Sequence, residues 1–242
     1  MKKYIYGIIL KPAFFGTEHK GLKGKTLNIV NHKNLSALVS DYDEKIALKQ
    51  EDILLHNSIL VEAAIKHPSL LPMRFGMIAN SNEEIKEKIL SAHHDKLEKM
   101  LKKLHKKIEV AIKASWLDTD SIVRSFREKK EIKNLKKTNQ TNLSTLIEAG
   151  RIAEYELDVQ RFLLKEKFVK KLSGIFSEYK DNGITSPDMI FDLAFLIDKE
   201  KEPEFEKKVS ALDKEKSPGK INIQYIGPLP NYDFSQLSLT LN

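Results

Sequence analysis

The 242-residue chain is 41% hydrophobic and 31% charged, a balance that sets it among folded globular proteins rather than disordered ones, with length enough for two small domains. It has no cysteine, which removes disulfide frameworks and thiolate metal sites from consideration. The net charge of +7 comes from 36 lysines and only five arginines, interleaved with acids along helical stretches. That composition suits solvated helix faces better than base readout, where bidentate arginine dominates.

The opening MKKYIYGIIL has a signal-like start, but its apolar run is interrupted by Gly7, ends at Lys11-Pro12 and has no small-residue cleavage site. It is read as a first strand, with Tyr4, Tyr6, Ile8 and Leu10 alternating against Ile5, Gly7 and Ile9. Residues 11–25 hold Pro12 and three glycines and are read as loop. Two strand-like runs, 26–30 and 35–40, are joined by Asn31-His32-Lys33-Asn34, a spacing that predicts a hairpin with a four-residue loop. A helix is predicted over about 50–66, with Ile53, Leu54, Asn57, Leu60, Val61 and Ala64 as its core-facing stripe and Pro68 as its stop. The stretch LLPMRFGMIA, 70–79, reads as a buried strand: Leu71, Met73, Phe75 and Met77 on one side, Arg74 and Gly76 on the other, and Pro72 near its beginning. A guanidinium in such a strand requires a partner, so Arg74 is expected to bond to groups of the second half and tie the two halves together.

Ser81 and Glu84 form a capping box for a helix running to about 105. Residues 107–116 alternate and read as a half-exposed strand. The order β, β-hairpin, α, β, α, β predicts an α+β sandwich close to the ferredoxin-like arrangement, with both helices on one face of one sheet. A short helix is expected at 118–128, and the polar run 128–142 reads as a mobile loop. A long helical pattern covers about 143–180, with Gly150 near its start as a candidate break. Residues 188–197, DMIFDLAFLI, read as a buried central strand, 202–213 as a helix with Pro203 in its first turn, and 220–226 as a strand. The chain thus divides into 1–117, an N-terminal ferredoxin-like α+β domain, and 118–242, a helical plus α+β domain carrying the closing GPLPNYDF, 227–234. Two prolines fix that tail's course, and Tyr232 and Phe234 beyond them are expected to pack within this chain rather than on a partner.

No catalytic, cofactor or metal constellation is legible. Neither a Walker loop nor a GxGxxG string occurs. The neighbours His93 and His94 diverge by about 100° on a helix, so they cannot chelate together, and His94 with Glu98 alone is a surface contact. His56 and His67 read as ordinary helix-surface and helix-end histidines. Ser58 and Ser69 lack a nucleophile-elbow context. Glu83-Glu84 suits a helix N-terminus, and Glu154 with Asp158 reads as surface pairing with Arg151 and Arg161.

The segments YIYGII (4–9), LPMRFGMI (71–78), Gly150-Arg151 followed by Tyr155, and GPLPNYDF together resemble the gas vesicle protein F/L family across almost the whole chain. The family's tail more usually reads GPWPPYSF; Gly227, Pro228, Pro230, Tyr232 and Phe234 match it, while Leu229, Asn231 and Asp233 depart. The resemblance implies two α+β domains, the first ferredoxin-like and the second a modified version. It implies a non-enzymatic accessory protein without a cofactor, acting in the cytoplasm during gas vesicle formation. Such a protein binds the small hydrophobic shell protein and other accessory proteins and becomes a minor vesicle component. Pro72, Arg74, Phe75, Gly76 and the five matching tail residues are its candidate structural and interaction motif. The candidate shell-binding surfaces are the edge of the 107–116 strand, the long helix and the Arg74/Gly76 face. The competing reading is an RNA-binding α+β module using Tyr4, Tyr6 and Phe75, although no RNP-like string is present. A small-molecule sensor using Arg74 for an anion is a third.

Overall fold

The structure is a computed structural model that describes residues 1–11, 20–126, 143–215 and 221–235. The predicted polar loop 128–142 lies outside the described residues. The chain forms two compact units, one comprising Met1–Val110, Leu196–Lys199 and Gly227–Asn242, the other Ala111–Phe195 and Glu200–Ile226. Two sheets and flanking helices give an α+β fold.

The first sheet has the order β2-β3-β1-β4, with β5 also paired to β1. Its central strand, β1 (Lys2–Leu10), is the predicted one, buried through both faces over Tyr4–Ile9 rather than on one. In the hairpin of β2 (Leu27–His32) and β3 (Leu35–Tyr42), β2 runs two residues further towards the turn than expected. His32 pairs with Leu35, leaving a two-residue turn with Lys33 at φ 48°. Along β1 a bulge between Ile5 and Gly7 shifts the register against β3. At Gly7 a methyl group would stand 2.9 Å from Leu70 Cδ1 and 3.0 Å from the Leu71 carbonyl, so glycine lets β4 and Leu60 approach closely.

α1 (Glu51–Lys66) lies on one face of this sheet, its Ile59, Leu60, Ala63 and Ala64 packing with Tyr4, Tyr6, Ile9, Leu38 and Leu70. The expected stripe is therefore corrected: the buried face carries Asp52, His56, Ile59, Leu60, Ala63 and Ala64, and Ile53 and Leu54 point outward. The opposite sheet face, Ile5, Ile8, Ala37 and Val39, is equally buried. The stretch after Ser81 covers it, so the two helical stretches flank the sheet from opposite sides instead of sharing one. Lys199 Nζ donates to the carbonyls of Ala64 and His67, capping the last turn of α1 with a positive charge.

The 70–79 stretch is not one strand. β4 (Leu70–Pro72) and β5 (Ile78–Ala79) both pair with β1, and Met73–Met77 bows out between them. Ser81 caps the next helix by accepting from Glu84 N at 3.2 Å, as its sequence predicts, while the Glu84 carboxylate accepts from Asn80 N at 2.5 Å. That helix is interrupted: one α-turn, α2 (Asn82–Glu84), runs into a π-helical Ile85–Ser91, and α3 (His94–Lys103) follows.

The second sheet has the order β7-β8-β6-β9. β6 (Lys107–Trp116) belongs here and not to the first sheet. It is buried on both sides through Ile108–Ile112 and flanked by β8 and β9, so it offers no open edge. Helix α4 (Thr119–Phe126) matches its expectation. Helix α5 (Leu143–Leu172) runs straight through Gly150 and stops earlier than predicted, at Gly174 with φ +87°. β7 (Glu178–Asp181) is the outer strand and β8 (Met189–Asp198) the buried central one. α6 (Glu202–Glu215) and β9 (Ile221–Leu229) complete the chain's regular elements, β9 continuing through a cis Gly227–Pro228 bond. The core of the second unit is aromatic: Phe195 lies 5.1 Å from Phe176 and 5.3 Å from Phe205, centroid to centroid, and Phe168 lies 5.1 Å from Phe191.

Candidate functional site

The LPMRFGMI turn is held by a closed circuit of hydrogen bonds. His56, on the buried face of α1, places Nε2 3.1 Å from the Met73 carbonyl. An acceptor there fixes the proton on Nε2, so Nδ1 accepts from the Tyr4 hydroxyl at 2.9 Å. The same hydroxyl accepts from Gly76 N at 3.1 Å, returning to the turn. Backbone bonds from Met73 N to the Tyr6 carbonyl and from Ile5 N to the Met77 carbonyl bracket the excursion, and Met77 N closes onto Arg74 O at 3.3 Å. Gly76 sits at φ +88°, a conformation glycine adopts without strain.

His56 is only 1% exposed, which corrects its assignment as a surface histidine; His67 stands at the C-terminal end of α1, as expected, and is buried there. The rings of Tyr4, Tyr6 and Phe75 box His56 at centroid distances of 5.6, 5.8 and 5.7 Å. Burial disfavours the charged imidazole, so its pKa falls below the ordinary 6.5, only partly offset by the bond to Met73. Burial pushes both tyrosine hydroxyls up. Tyr6 in turn accepts from Leu22 N at 2.7 Å and shares a 2.9 Å bond with Ser40, fixing the Leu22–Gly24 turn beside α1. Lys23 from that turn pairs with Asp52 at 2.6 Å and lowers the pKa of its carboxyl.

Arg74, expected to be buried and paired, is exposed at the tip of the turn; its carbonyl accepts from Met77 N, while its side chain makes no ion pair or hydrogen bond among the described residues. A strand reading buried it; the bow between β4 and β5 turns it outward. Phe75 does the inward work, packing on the Tyr4/His56 cluster. Pro72 is buried at the end of β4, opposite Gly7.

The tail docks internally, on the same unit. Tyr232 donates to Asn57 Oδ1 at 3.0 Å, and Asn57 is the next residue to His56 on α1. Asn231 Nδ2 donates to the Lys107 carbonyl at 3.3 Å, and Asp233 N donates to the buried Glu109 carboxylate at 2.8 Å. Burial, followed by the Glu109 charge, pushes the Tyr232 pKa up to about 12. Phe234 and Pro230 are buried, Pro228 is half-buried, and Gly227 is exposed. The two sequence motifs thus meet on adjacent residues of α1, a convergence the sequence does not announce because His56 and Asn57 lie far from both.

The outer face of α1 carries Leu54 (75% exposed) and Ile65 (59% exposed), with half-buried Val61 between them and the less exposed Ile53 and Leu55 at its two margins. One sign was available in the sequence: EDILLHNSILVEAAIK holds more large apolar residues than one helical face can bury. Helix α5 exposes Ile147, Tyr155, Phe162 and Leu163.

Elsewhere, His94 bonds to Asn34 at 2.8 Å, and Asn34 bridges on to Glu98, in place of a direct His94–Glu98 contact. Arg161 pairs with Asp158 at 2.9 Å and Arg151 with Glu148 at 3.8 Å. Among the described residues no cluster of three or more His, Cys, Asp or Glu could hold a metal ion, and no helix is long and apolar enough to cross a membrane. Tyr4 and Tyr6 are fully buried, so neither supplies a stacking platform for RNA bases.

These features define a two-unit α+β protein whose singled-out motifs organise a core and whose unusual surface is apolar. The chain belongs to the gas vesicle synthesis protein GvpL/GvpF family, whose family model matches residues 2–236. It is 26% identical to gas vesicle protein F of Dolichospermum flosaquae over 241 residues, covering 97% of each chain. It is 25% identical to gas vesicle protein F of Microcystis aeruginosa, covering 97% of this chain and 98% of that one. The fold matches the crystal structure of GvpF from Anabaena sp. with a TM-score of 0.88 at 23% identity, over 98% of this chain and 99% of that one. For GvpF from Microcystis aeruginosa the TM-score is 0.85 at 24% identity, over 98% and 99%. A role in gas vesicle formation follows from the family.

Proposed function

We propose that this chain is a non-enzymatic accessory protein that works in the cytoplasm during gas vesicle formation. It binds the small hydrophobic shell protein and other accessory proteins as the shell is nucleated, and it remains as a minor vesicle component. The observation that carries this reading is the outer face of α1, where Leu54 and Ile65 stand exposed with half-buried Val61 between them on a helix whose opposite face is packed. Contiguous exposed apolar surface marks interaction sites. A shell subunit with apolar, strand-forming surface aggregates unless that surface is covered. The RFG turn and the tail hold α1 in place: Pro72, Phe75, Gly76, Gly227, Pro228, Pro230, Tyr232 and Phe234 act as scaffold, and Arg74, exposed on the turn, acts as a contact residue.

Co-purification tests this. The tagged full chain, co-expressed with the shell protein, retains it through washing. Leu54→Glu combined with Ile65→Glu lowers the retained fraction at least tenfold, with the melting temperature unchanged because both side chains are exposed. Equal retention by the double variant would remove α1 from the account; no retention by the wild type would remove the function.

A further inference from the structure

A second docking surface lies within the Ala111–Phe195 part of the chain, where α5 crosses the β7–β8 hairpin. β7 is the outermost strand of its sheet, hydrogen-bonded only to β8 among the described strands. Asn182 N donates to the Asp192 carbonyl of β8 at 2.8 Å. Backbone groups alternate along a strand, so those of Lys180 face β8 with Asn182, and those of Tyr179 and Asp181 face away from the sheet. Such an edge is a template for another extended chain.

Beside this edge opens a pocket of ≈ 240 Å³, its apolar lining supplied by Phe162, Ile184, Ile190 and Phe191. Ile190 and Phe191 are buried floor, whereas Phe162 and Ile184 are 58% and 47% exposed at the mouth. Leu163 and Tyr179 add further exposed apolar surface in this part of the chain. The charges around the pocket are already spoken for. Lys165 pairs with Asp181 at 2.7 Å, and Asp181 also accepts from Gly183 N at 3.0 Å. Arg161 bonds to Asp158 at 2.9 Å, to the Met189 carbonyl at 3.0 Å and to the Pro187 carbonyl at 2.8 Å, and it lies 5.2 Å over the Trp116 ring.

Each cation therefore has its anion, and the mouth presents no spare charge to a charged peptide or a phosphate backbone. What remains open is strand donors and acceptors on one side and an apolar hole, sized for one Leu, Ile or Phe side chain, on the other. We infer that the β7 edge and this pocket together bind an extended, uncharged apolar segment of a partner protein, added as a fifth strand with one large side chain seated between α5 and β8. The inference rests on the proposed shell-binding function and names the form in which that partner is held: as a strand, at a site separate from the outer face of α1.

The test uses the full chain and biotinylated seven-residue peptides tiling the shell protein, each also made with N-methyl groups at alternate residues. Wild type is expected to capture a subset of apolar peptides, with N-methylation in one of the two registers weakening capture at least tenfold. Tyr179→Pro removes an outward N–H without touching the ladder to β8 and should weaken capture at least tenfold. Tyr179→Thr keeps that N–H while losing the ring, and should retain capture within about threefold. Ile184→Lys, at an exposed position, should block the pocket and weaken capture at least tenfold; unchanged melting temperatures certify the variants as folded. Capture of no peptide overturns the inference, as does capture indifferent to both Tyr179→Pro and Ile184→Lys. Self-association lost with Tyr179→Pro, without peptide capture, overturns it in favour of a second copy of this chain. If intact shell protein is retained through α1 alone, this inference fails and the functional reading stands; if the wild type retains neither shell protein nor peptide, both fail.

Discussion

The RFG turn and the GPLPNYDF tail end on neighbouring residues of α1 yet are held in opposite ways. The turn is fixed by a closed circuit, Gly76 to Tyr4 to His56 to Met73, in which every polar group depends on the next and the His56 ring at its hub is boxed by aromatic rings. The tail is fixed by separate bonds to the Asn57 side chain of α1 and to the Lys107 carbonyl and Glu109 carboxylate of β6. A circuit fails as a whole, whereas independent anchors fail one at a time. The turn should therefore behave as a cooperative element and the tail as a sum of parts.

The largest effect is expected at the hub of the circuit. His56→Ala removes two hydrogen bonds, leaves the Tyr4 hydroxyl proton and the Met73 carbonyl without their partner, and opens a cavity among three rings, a loss of about 3–4 kcal/mol in urea unfolding. Adding Tyr4→Phe to it should cost far less than the two single losses summed. Strict additivity would show that the circuit does not act as a unit. Phe234→Ala, which empties a buried site in the tail, is expected to cost about 3 kcal/mol.

Acid should strike the turn harder than the tail. Burial holds the His56 imidazole below 6.5, and His67 is held down likewise, first by burial and then by the Lys199 charge. As pH falls below about 6.5 the unfolded chain takes up protons that the folded chain refuses, so stability drops across the window from 6.5 down to the depressed folded values. The slope is at most about 1.4 kcal/mol per pH unit for each histidine. Urea midpoints measured from pH 7.5 to 5 check this; a flat profile would mean that neither histidine is held neutral by the fold.

Smaller changes separate anchor from ornament. Tyr232→Phe loses one bond to Asn57 and about 1 kcal/mol, and combined with Asn231→Ala it should add within about 0.5 kcal/mol. Arg74→Ala, at an exposed tip, should shift stability by less than about 0.5 kcal/mol. A substantial loss there would restore the structural tie that its sequence setting suggests.

The parts of this arrangement were unequally visible in the sequence. β1, β8 and β9 announce themselves by apolar runs or alternation, and Ser81 by its capping chemistry, because these signals are local. The docking of Tyr232 and Phe234 was also foreseeable, since a rigid tail with two aromatics needs somewhere to put them. The outward face of α1 was not: Leu54, Val61 and Ile65 keep helical spacing as well as Ile59, Ala63 and Ala64 do, and periodicity cannot say which stripe meets a sheet. Polar Asp52 and His56 on the inner face argued for the wrong side, because their partners, Lys23, Tyr4 and Met73, come from elsewhere in the chain. Arg74 misled for the complementary reason. Apolar neighbours on both sides suggested a continuous strand, and the bow that exposes it depends on Tyr4 and His56, which no local pattern connects to it. The sheet membership of β6 was equally hidden, since alternation reports a strand's faces and not its neighbours.

The central claim is that the chain covers apolar surface of the shell protein through the outer face of α1. Light scattering during dilution of denatured shell protein tests it directly. An equimolar amount of this chain should suppress the scattering, and Leu54→Glu with Ile65→Glu should abolish that protection while leaving the melting temperature of the chain unchanged. Scattering that rises equally with wild type, with the double variant and with no added chain would contradict the account.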